Sequence, residues 1–166
     1  MQGTFEMIAA VTFSIIDYSP KYRPSIRRIL TKIGWAEGYI SAMESAADVF
    51  SKDQENFGVY LAMADGEPVG YLYVQYYAWN QLCQIQGLAV SSDFQRRGLA
   101  SALVARAEEF ARFKHARGVY VDTPTTNTGG RNFYEAIGYQ LGYFMPRYYE
   151  DGVDGVTYQK FFNDMQ

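Results

Sequence analysis

Val90-Ser91-Ser92-Asp93-Phe94-Gln95-Arg96-Arg97-Gly98-Leu99-Ala100 is the stretch on which the reading of this chain turns. It follows an apolar run, Leu82–Val90, that reads as a strand. It opens a run in which Leu99, Leu103, Ala107 and Phe110 recur on one helical face. The first N–H groups of such a helix have no partner within it, and the helix dipole adds positive potential at the same end. Gly98 permits close backbone approach to a ligand. Ala100, Ser101 and Ala102 keep the first turn uncrowded, and Arg96 and Arg97 bring guanidinium forks suited to phosphate oxygens. The segment predicts a cradle for a pyrophosphate. It is not a Walker A loop, which requires Gly-Lys-Ser/Thr, nor a GxGxxG dinucleotide turn. A solvated helix start with an incidental glycine is the bland reading of the same residues.

Outward from this turn, the chain reads as alternating elements. Residues 12–17 suit an opening strand, with the apolar residues 7–11 as a further extension of it. Pro20 or Pro24 fits a first helical turn, and Ile26, Ile29, Leu30 and Ile33 mark a helix that Gly34 stops. Ile40, Met43, Ala47 and Phe50 mark a second helix. Phe57–Ala64 and residues 69–77 read as a hairpin around Asp65-Gly66, and Leu82–Val90 adds a third strand. A helix over 99–114 precedes a short strand at 119–123, expected parallel to the strand before that helix by the crossover rule. A helix at 128–137, a strand at 139–145, an acidic turn at 148–155 and a strand at 156–162 complete the order. No repeat or linker divides residues 1–166, so one mixed α/β domain is expected, its central sheet mostly antiparallel and flanked by helices.

Composition excludes several classes of function. Fifteen basic against eighteen acidic residues, net charge -3, leave no concentrated basic surface for nucleic acid or an anionic membrane. A lone cysteine, Cys83, excludes an internal disulfide and a multi-cysteine zinc site, and a lone histidine, His115, excludes a His-rich metal centre; no metal is expected. No apolar run is long enough to span a bilayer and the N-terminus lacks a signal-peptide pattern, so a cytoplasmic location is expected. Aromatics make up 17% of the chain, Tyr above all, which points to lined clefts or interfaces as well as core.

The Gln95-Arg96-Arg97-Gly98-Leu99-Ala100 segment resembles the acetyl-coenzyme A motif of the Gcn5-related N-acetyltransferases (GNAT), Gln/Arg-x-x-Gly-x-Gly/Ala, at every position. A second signature of that family is an Asn after the next strand, then a helix with Phe/Leu-Tyr-Glu, then Gly-Phe/Tyr. Here it is matched by Asn127, Phe133-Tyr134-Glu135 and Gly138-Tyr139. The resemblance spans nearly the whole chain and implies the acyl-CoA N-acyltransferase fold, with acetyl-coenzyme A as donor. It implies that backbone groups from Gln95 through Ala100, with Ser101 behind them, hold the pyrophosphate. Backbone groups of Leu88, Ala89 and Val90 would hold the pantetheine and polarise the thioester carbonyl, where the family's central strand bulges and splays. Asn127 would hydrogen-bond the cofactor arm. The family's usual Ala three residues after that Asn is Gly130 here, which leaves the first residue of the helix open. Dimers are common in the family, the only ground for expecting a homodimer.

Acyl transfer to an amine needs a base, donors for an oxyanion and a proton donor for the leaving thiolate. Tyr134 matches the family's Tyr near the coenzyme sulfur and is the candidate donor. Asp122 is the candidate base, because apolar neighbours in Val119-Tyr120-Val121-Asp122-Thr123 would raise its pKa. Its position, five residues before Asn127, resembles that of the catalytic Glu of bacterial ribosomal-protein N-terminal acetyltransferases. A salt bridge or a turn partner is the structural alternative for Asp122. Gln84 and Gln86 stand where some relatives carry carboxylates; they could position a water or the acceptor. Tyr148-Tyr149, with Glu150, Asp151 and Asp154, resembles a turn that borders the acceptor amine in N-terminal protein acetyltransferases. Trp35 and Tyr39 fall in the region that walls the acceptor cleft in the family. Cys83 is expected to pack in the core, and Trp79 to be exposed or in a subunit contact. The acceptor is expected to be a primary amine of a small molecule, with a peptide N-terminus or lysine as one alternative and a non-catalytic acyl-coenzyme A sensor as another.

Overall fold

Strand alternation divides the interior of this protein into two cores, one on each side of a single sheet. The computed structural model describes residues 12–162; the 7–11 segment weighed above as part of the first strand lies outside them. The elements are β1 (Phe13–Asp17), α1 (Arg23–Ile33), α2 (Glu37–Ser51), β2 (Phe57–Ala64), β3 (Glu67–Tyr77), β4 (Leu82–Val90), α3 (Leu99–Phe113), β5 (Gly118–Pro124), α4 (Thr128–Ala136), β6 (Gln140–Met145) and β7 (Gly155–Phe161). The sheet order is β1-β2-β3-β4-β5-β7-β6. Every neighbouring pair is antiparallel except β4 and β5, which are parallel and joined by α3. This is the mixed, mostly antiparallel sheet with flanking helices that the sequence predicts.

On one face Leu72, Val74, Cys83, Ile85, Val119 and Val121 pack with Leu99, Leu103, Val104, Ala107 and Phe110 of α3 and with Tyr134 and Tyr139. On the other, Val59, Leu61, Tyr71, Tyr73 and Ala89 pack with Ile26, Ile29 and Leu30 of α1 and Ile40 and Ala47 of α2. Arg27 ties these two helices together, donating to both carboxylate oxygens of Glu37 at 2.8 Å and to buried Glu44 at 2.8–3.1 Å. Both helices pack mainly on β2 and β3. Beyond that cover, the same face of β3, β4 and β5 carries Gln75, Tyr77, Gln84, Gln86, Tyr120 and Asp122, all part-buried.

Two irregularities shape the centre of the sheet. Tyr73 pairs with Gly87 and Val74 with Ile85, so Gln86 is an extra residue in β4 and the strand bulges there. The β4–β5 ladder ends at Ile85↔Val121, whereas β4 stays paired with β3 to Val90 and β5 stays paired with β7 to Pro124. The two parallel strands therefore separate at their C-terminal ends. The β2–β3 turn has Asp65 at φ 53° and Gly66 at φ 77°, the two left-handed residues that a tight hairpin needs. No helix among the described residues is long and apolar enough to cross a membrane.

Candidate active site

The predicted cradle forms where β4 hands over to α3. A short 3-10 turn, Ser92–Phe94, leads into it, and Lys32 of α1 forms an ion pair with Asp93 of that turn. Gln95 Nε2 donates to the Val90 carbonyl at 3.0 Å, pinning the loop across the end of β4. Arg96 (φ 60°) and Gly98 (φ 86°) both adopt left-handed conformations, and Gly98 is the N-cap of α3. A Cβ at Gly98 would meet nothing within 4 Å. Within the protein, then, glycine is required here by its backbone angle and not by crowding. Backbone N–H groups from Gln95 to Ser101 make no hydrogen bond among the described residues. Successive free amides around left-handed residues at the start of a fifteen-residue helix form an anion-binding concavity. Arg96 and Arg97 are exposed at its rim, with the Arg97 guanidinium 5.7 Å from the Phe94 ring centroid.

Below the cradle, the separation of β4 from β5 opens a cavity of about 620 Å³. Trp35 and Tyr39, their rings 4.2 Å apart, form one wall, and Tyr148 and Tyr149 form another. Gln84, Gln86 and Asp122 line it from the polar face of the sheet; Leu88, Asn127 and Tyr134 line it where the strands part. The structure thus brings Asp122, Tyr134, Leu88 and Asn127 to one cavity. Ala89 and Val90 turn their side chains into opposite cores, leaving only their backbone for a ligand. Gln95 to Ser101 lie outside the cavity lining, at the end of β4. A second cavity, of about 570 Å³, is lined by Asp17, Tyr60, Arg106 and Phe113 and contains none of these residues.

Asp122 is half-buried, and this desolvation raises its carboxyl pKa above the ordinary value. Its Oδ2 accepts from Gln84 Nε2 and from the Tyr148 hydroxyl, each at 3.0 Å. The Tyr148 bond acts against burial, favouring the ionised form. Oδ1 has no hydrogen-bond partner among the described residues, and Asp122 has no ion-pair partner there either. Of the structural alternatives, the salt bridge is therefore not what this carboxylate makes; its turn partner is Tyr148. Gln84 Oε1 faces Tyr77 Oη, Tyr120 Oη and Gln86 Nε2, each at 3.2 Å. Among the described residues Tyr120 has no other acceptor for its hydroxyl hydrogen, while Tyr77 and Gln86 share theirs with Gln75; with these donors around the amide oxygen, the NH2 group points at Asp122. Gln86 also donates to Gln75 Oε1 at 2.9 Å and to Tyr77 Oη at 3.0 Å.

Tyr134 lies under the cavity, buried, next to Tyr139 and Tyr158. Burial pushes its phenol pKa well above 10, so it keeps its proton at any working pH. That makes it a hydrogen-bond donor and weakens it as an acid, relative to the ordinary phenol assumed from the sequence. Asn127 is the N-cap of α4: its Oδ1 accepts from Gly130 N at 3.0 Å and its Nδ2 donates to Thr123 Oγ1 at 3.1 Å. A Cβ at Gly130 would collide with the Asn127 amide, so the glycine that departs from the family pattern lets this cap close. The helix starts at Thr128.

The remaining singled-out residues are simple to place. Cys83 is fully buried, its thiol pushed up to about 12 by desolvation, which suits packing and not nucleophilic chemistry. Trp79 is 84% exposed, and His115 is exposed just past α3. Sequence reasoning missed Tyr77 and Tyr120 as partners of Gln84, and Gln75 as a partner of Gln86 and Tyr77. The signal was there in Val119-Tyr120-Val121-Asp122, where one parity is apolar and the other polar. No group of three or more His, Cys, Asp or Glu side chains able to hold a metal occurs among the described residues.

Comparison with known proteins agrees with this geometry. The family model described as acetyltransferase (GNAT) family matches residues 25–139. A streptothricin acetyltransferase of Escherichia coli is 30% identical over 114 residues, covering 68% of this chain and 60% of that protein. The chain spans about half the length of the curated relatives it matches. Among solved structures, a protein from Desulfovibrio desulfuricans assigned to the GNAT family superposes with a TM-score of 0.82 at 19% identity, covering 90% of this chain and 99% of that one. An acetyl transferase from Salmonella typhimurium that modifies the N-terminal serine of ribosomal protein L7/L12 superposes with a TM-score of 0.78 at 15% identity, covering 92% and 96%. At these identities the structural likeness speaks for the fold alone. From the length of the family match, the cradle and the splayed strands together, this chain belongs to the acetyltransferase (GNAT) family.

Proposed function

We propose that the protein transfers the acetyl group of acetyl-coenzyme A directly to a primary amine of a small molecule. The observation that carries the reading is Asp122: a half-buried carboxylate in the cavity, with Oδ2 held by two donors and Oδ1 free. The coenzyme fits the residues present. Free N–H groups from Gln95 to Ser101 suit its diphosphate, and the β4 backbone beyond Ile85, unpaired on its β5 side, suits its amide-bearing arm. The Asn127 amide has one Nδ2 hydrogen beyond the one given to Thr123 for that arm. The coenzyme supplies an acetyl group activated as a thioester.

The chain's own residues supply the rest. Asp122 Oδ1 takes a proton from the incoming ammonium, directly or through one water, and frees the nitrogen lone pair. Backbone N–H groups near Leu88 and Val90 polarise the carbonyl under attack. The N–C bond forms and the C–S bond then breaks; the second proton that the nitrogen must lose passes to the departing thiolate sulfur, giving the free thiol, while the Tyr134 hydroxyl hydrogen-bonds that sulfur. Trp35, Tyr39, Tyr148 and Tyr149 hold the acceptor's body against this constellation. That Asp122 and Tyr134 line one cavity speaks against a purely coenzyme-sensing role. The streptothricin acetyltransferase likeness supports a small-molecule acceptor. A peptide N-terminus is the second reading, favoured by the contact of Tyr148, from the Tyr148-Tyr149 turn, with Asp122.

A thiol-release screen of amines and peptides, run with wild type, Asp122→Asn and Tyr134→Phe, tests the assignment. Asp122→Asn should lower kcat/KM at neutral pH about a hundredfold or more, and Tyr134→Phe about tenfold or more, with coenzyme affinity retained in Asp122→Asn. Unchanged rates would place the base and donor elsewhere. Tyr148→Phe removes a donor that favours ionised Asp122. The acid limb of the kcat/KM profile should then move to higher pH while the alkaline plateau remains; no shift, or a shift downward, would contradict the tuning role. Gly98→Ala forces an L-residue into a left-handed conformation at a strain of about 1–2 kcal/mol. It should weaken coenzyme A binding at least about tenfold in calorimetric titration; unchanged affinity would remove the cradle from the site.

A further inference from the structure

We propose that the acceptors of this protein are cationic amines with no carboxylate next to the reacting nitrogen, such as diamines, arylalkylamines or amino sugars, and not free α-amino acids. This rests on the reading of the Asp122 cavity as the acceptor site and deepens it. The side chains lining the cavity contribute one charge, the carboxylate of Asp122, and among the described lining residues there is no Lys, Arg or His. The guanidiniums of neighbouring elements are committed or outside. Arg27 is held by Glu37 and Glu44; Arg131 donates to the Tyr158 hydroxyl and the Thr125 carbonyl; Arg147 is exposed and not part of the lining.

The donors that the lining side chains offer are neutral, and those nearest Asp122 already have acceptors. The two Gln86 amide hydrogens are shared among Gln75, Tyr77 and Gln84, and one hydrogen of the Gln84 NH2 group faces Asp122. The Tyr148 hydroxyl donates to Asp122. A carboxylate one carbon from the attacking nitrogen would be brought within about 5 Å of Asp122, in a partly desolvated cavity where like charges repel strongly. Bound coenzyme adds negative charge of its own. A cation meets the opposite conditions: the free Oδ1 of Asp122, the Trp35–Tyr39 pair, and the Tyr148–Tyr149 pair with ring centroids 5.0 Å apart. Aromatic faces also bury the alkyl stem of an amine.

Matched compounds separate charge from bulk. Tyramine against tyrosine, 1,3-diaminopropane against 2,4-diaminobutyrate, and phenylalaninamide against phenylalanine would be measured with the full chain. Binding would be followed by calorimetry with coenzyme A present, and turnover by thiol release with acetyl-coenzyme A. The carboxylate-free partner should be favoured more than tenfold in binding in at least one pair, and Asp122→Asn should shrink that preference below tenfold. Equal or better binding of the carboxylates, no binding of any carboxylate-free member at millimolar concentration, or a preference unchanged in Asp122→Asn would each overturn the proposal. Selective binding without turnover would leave the acceptor class standing and contradict the catalytic reading instead.

Discussion

The end of the β4–β5 ladder at Ile85↔Val121 is the constraint on which the site depends. A parallel pair that continued to Val90 would seal the sheet and leave no passage between its faces. Two other strands hold the parted ones in place: β3 keeps β4 paired to Val90, and β7 keeps β5 paired to Pro124. The separation is thus a fixed feature of the ladders. The Gln86 bulge adds local twist to β4 just where the ladder ends. Beyond it lie unpaired backbone on one side, the free amides of the α3 start at the top, and Asp122 on the strand that has turned away.

The second consequence of the sheet's geometry is electrostatic. The α1–α2 pair covers β2 and β3 and stops short of the face that β4 and β5 share. The residues left there are amides, phenols and one carboxylate, and they hydrogen-bond one another while leaving Asp122 Oδ1 free among the described residues. Gln84 receives hydrogen bonds on its oxygen and gives one from its nitrogen, so its orientation is set by Tyr77, Tyr120 and Gln86 and passed to Asp122. Tyrosine serves several purposes in this chain. Tyr71, Tyr73 and Tyr158 are fully buried core, Tyr77 and Tyr120 orient an amide, and Tyr148 grips the carboxylate while facing solvent. The Tyr71 hydroxyl is fully buried, and the Tyr39 hydroxyl stands near it without the geometry of a good hydrogen bond, which is a cost of using so many phenols as core.

Much of this was legible in the sequence, because local rules decide it. The apolar stripe of Leu99, Leu103, Ala107 and Phe110 fixes α3, and Asp65-Gly66 fixes a hairpin that needs two left-handed residues. The opening of a helix directly after a strand at Gly98 fixes an anion cradle. What was not legible depends on register between distant strands. No local pattern says that Gln86 has no partner in β3, or that Gln84, Tyr120 and Tyr77 converge from three strands. Gly98 and Gly130 show the same limit. The sequence pointed to close backbone approach to a ligand at Gly98, and the structure adds a left-handed backbone angle that itself calls for glycine; Gly130 left the first residue of the helix open, and the structure shows that it makes room for the Asn127 cap.

In the proposed reading, the parted strands and the α3 start form one coenzyme site. Backbone amide hydrogen exchange with and without coenzyme A tests it most directly. Slowed exchange is expected in two stretches only, the amides from Gly87 to Val90 and those from Gln95 to Ser101, with β1 and β2 unaffected. Protection absent from both stretches, or centred on the cavity lined by Asp17, Tyr60 and Arg106, would contradict it.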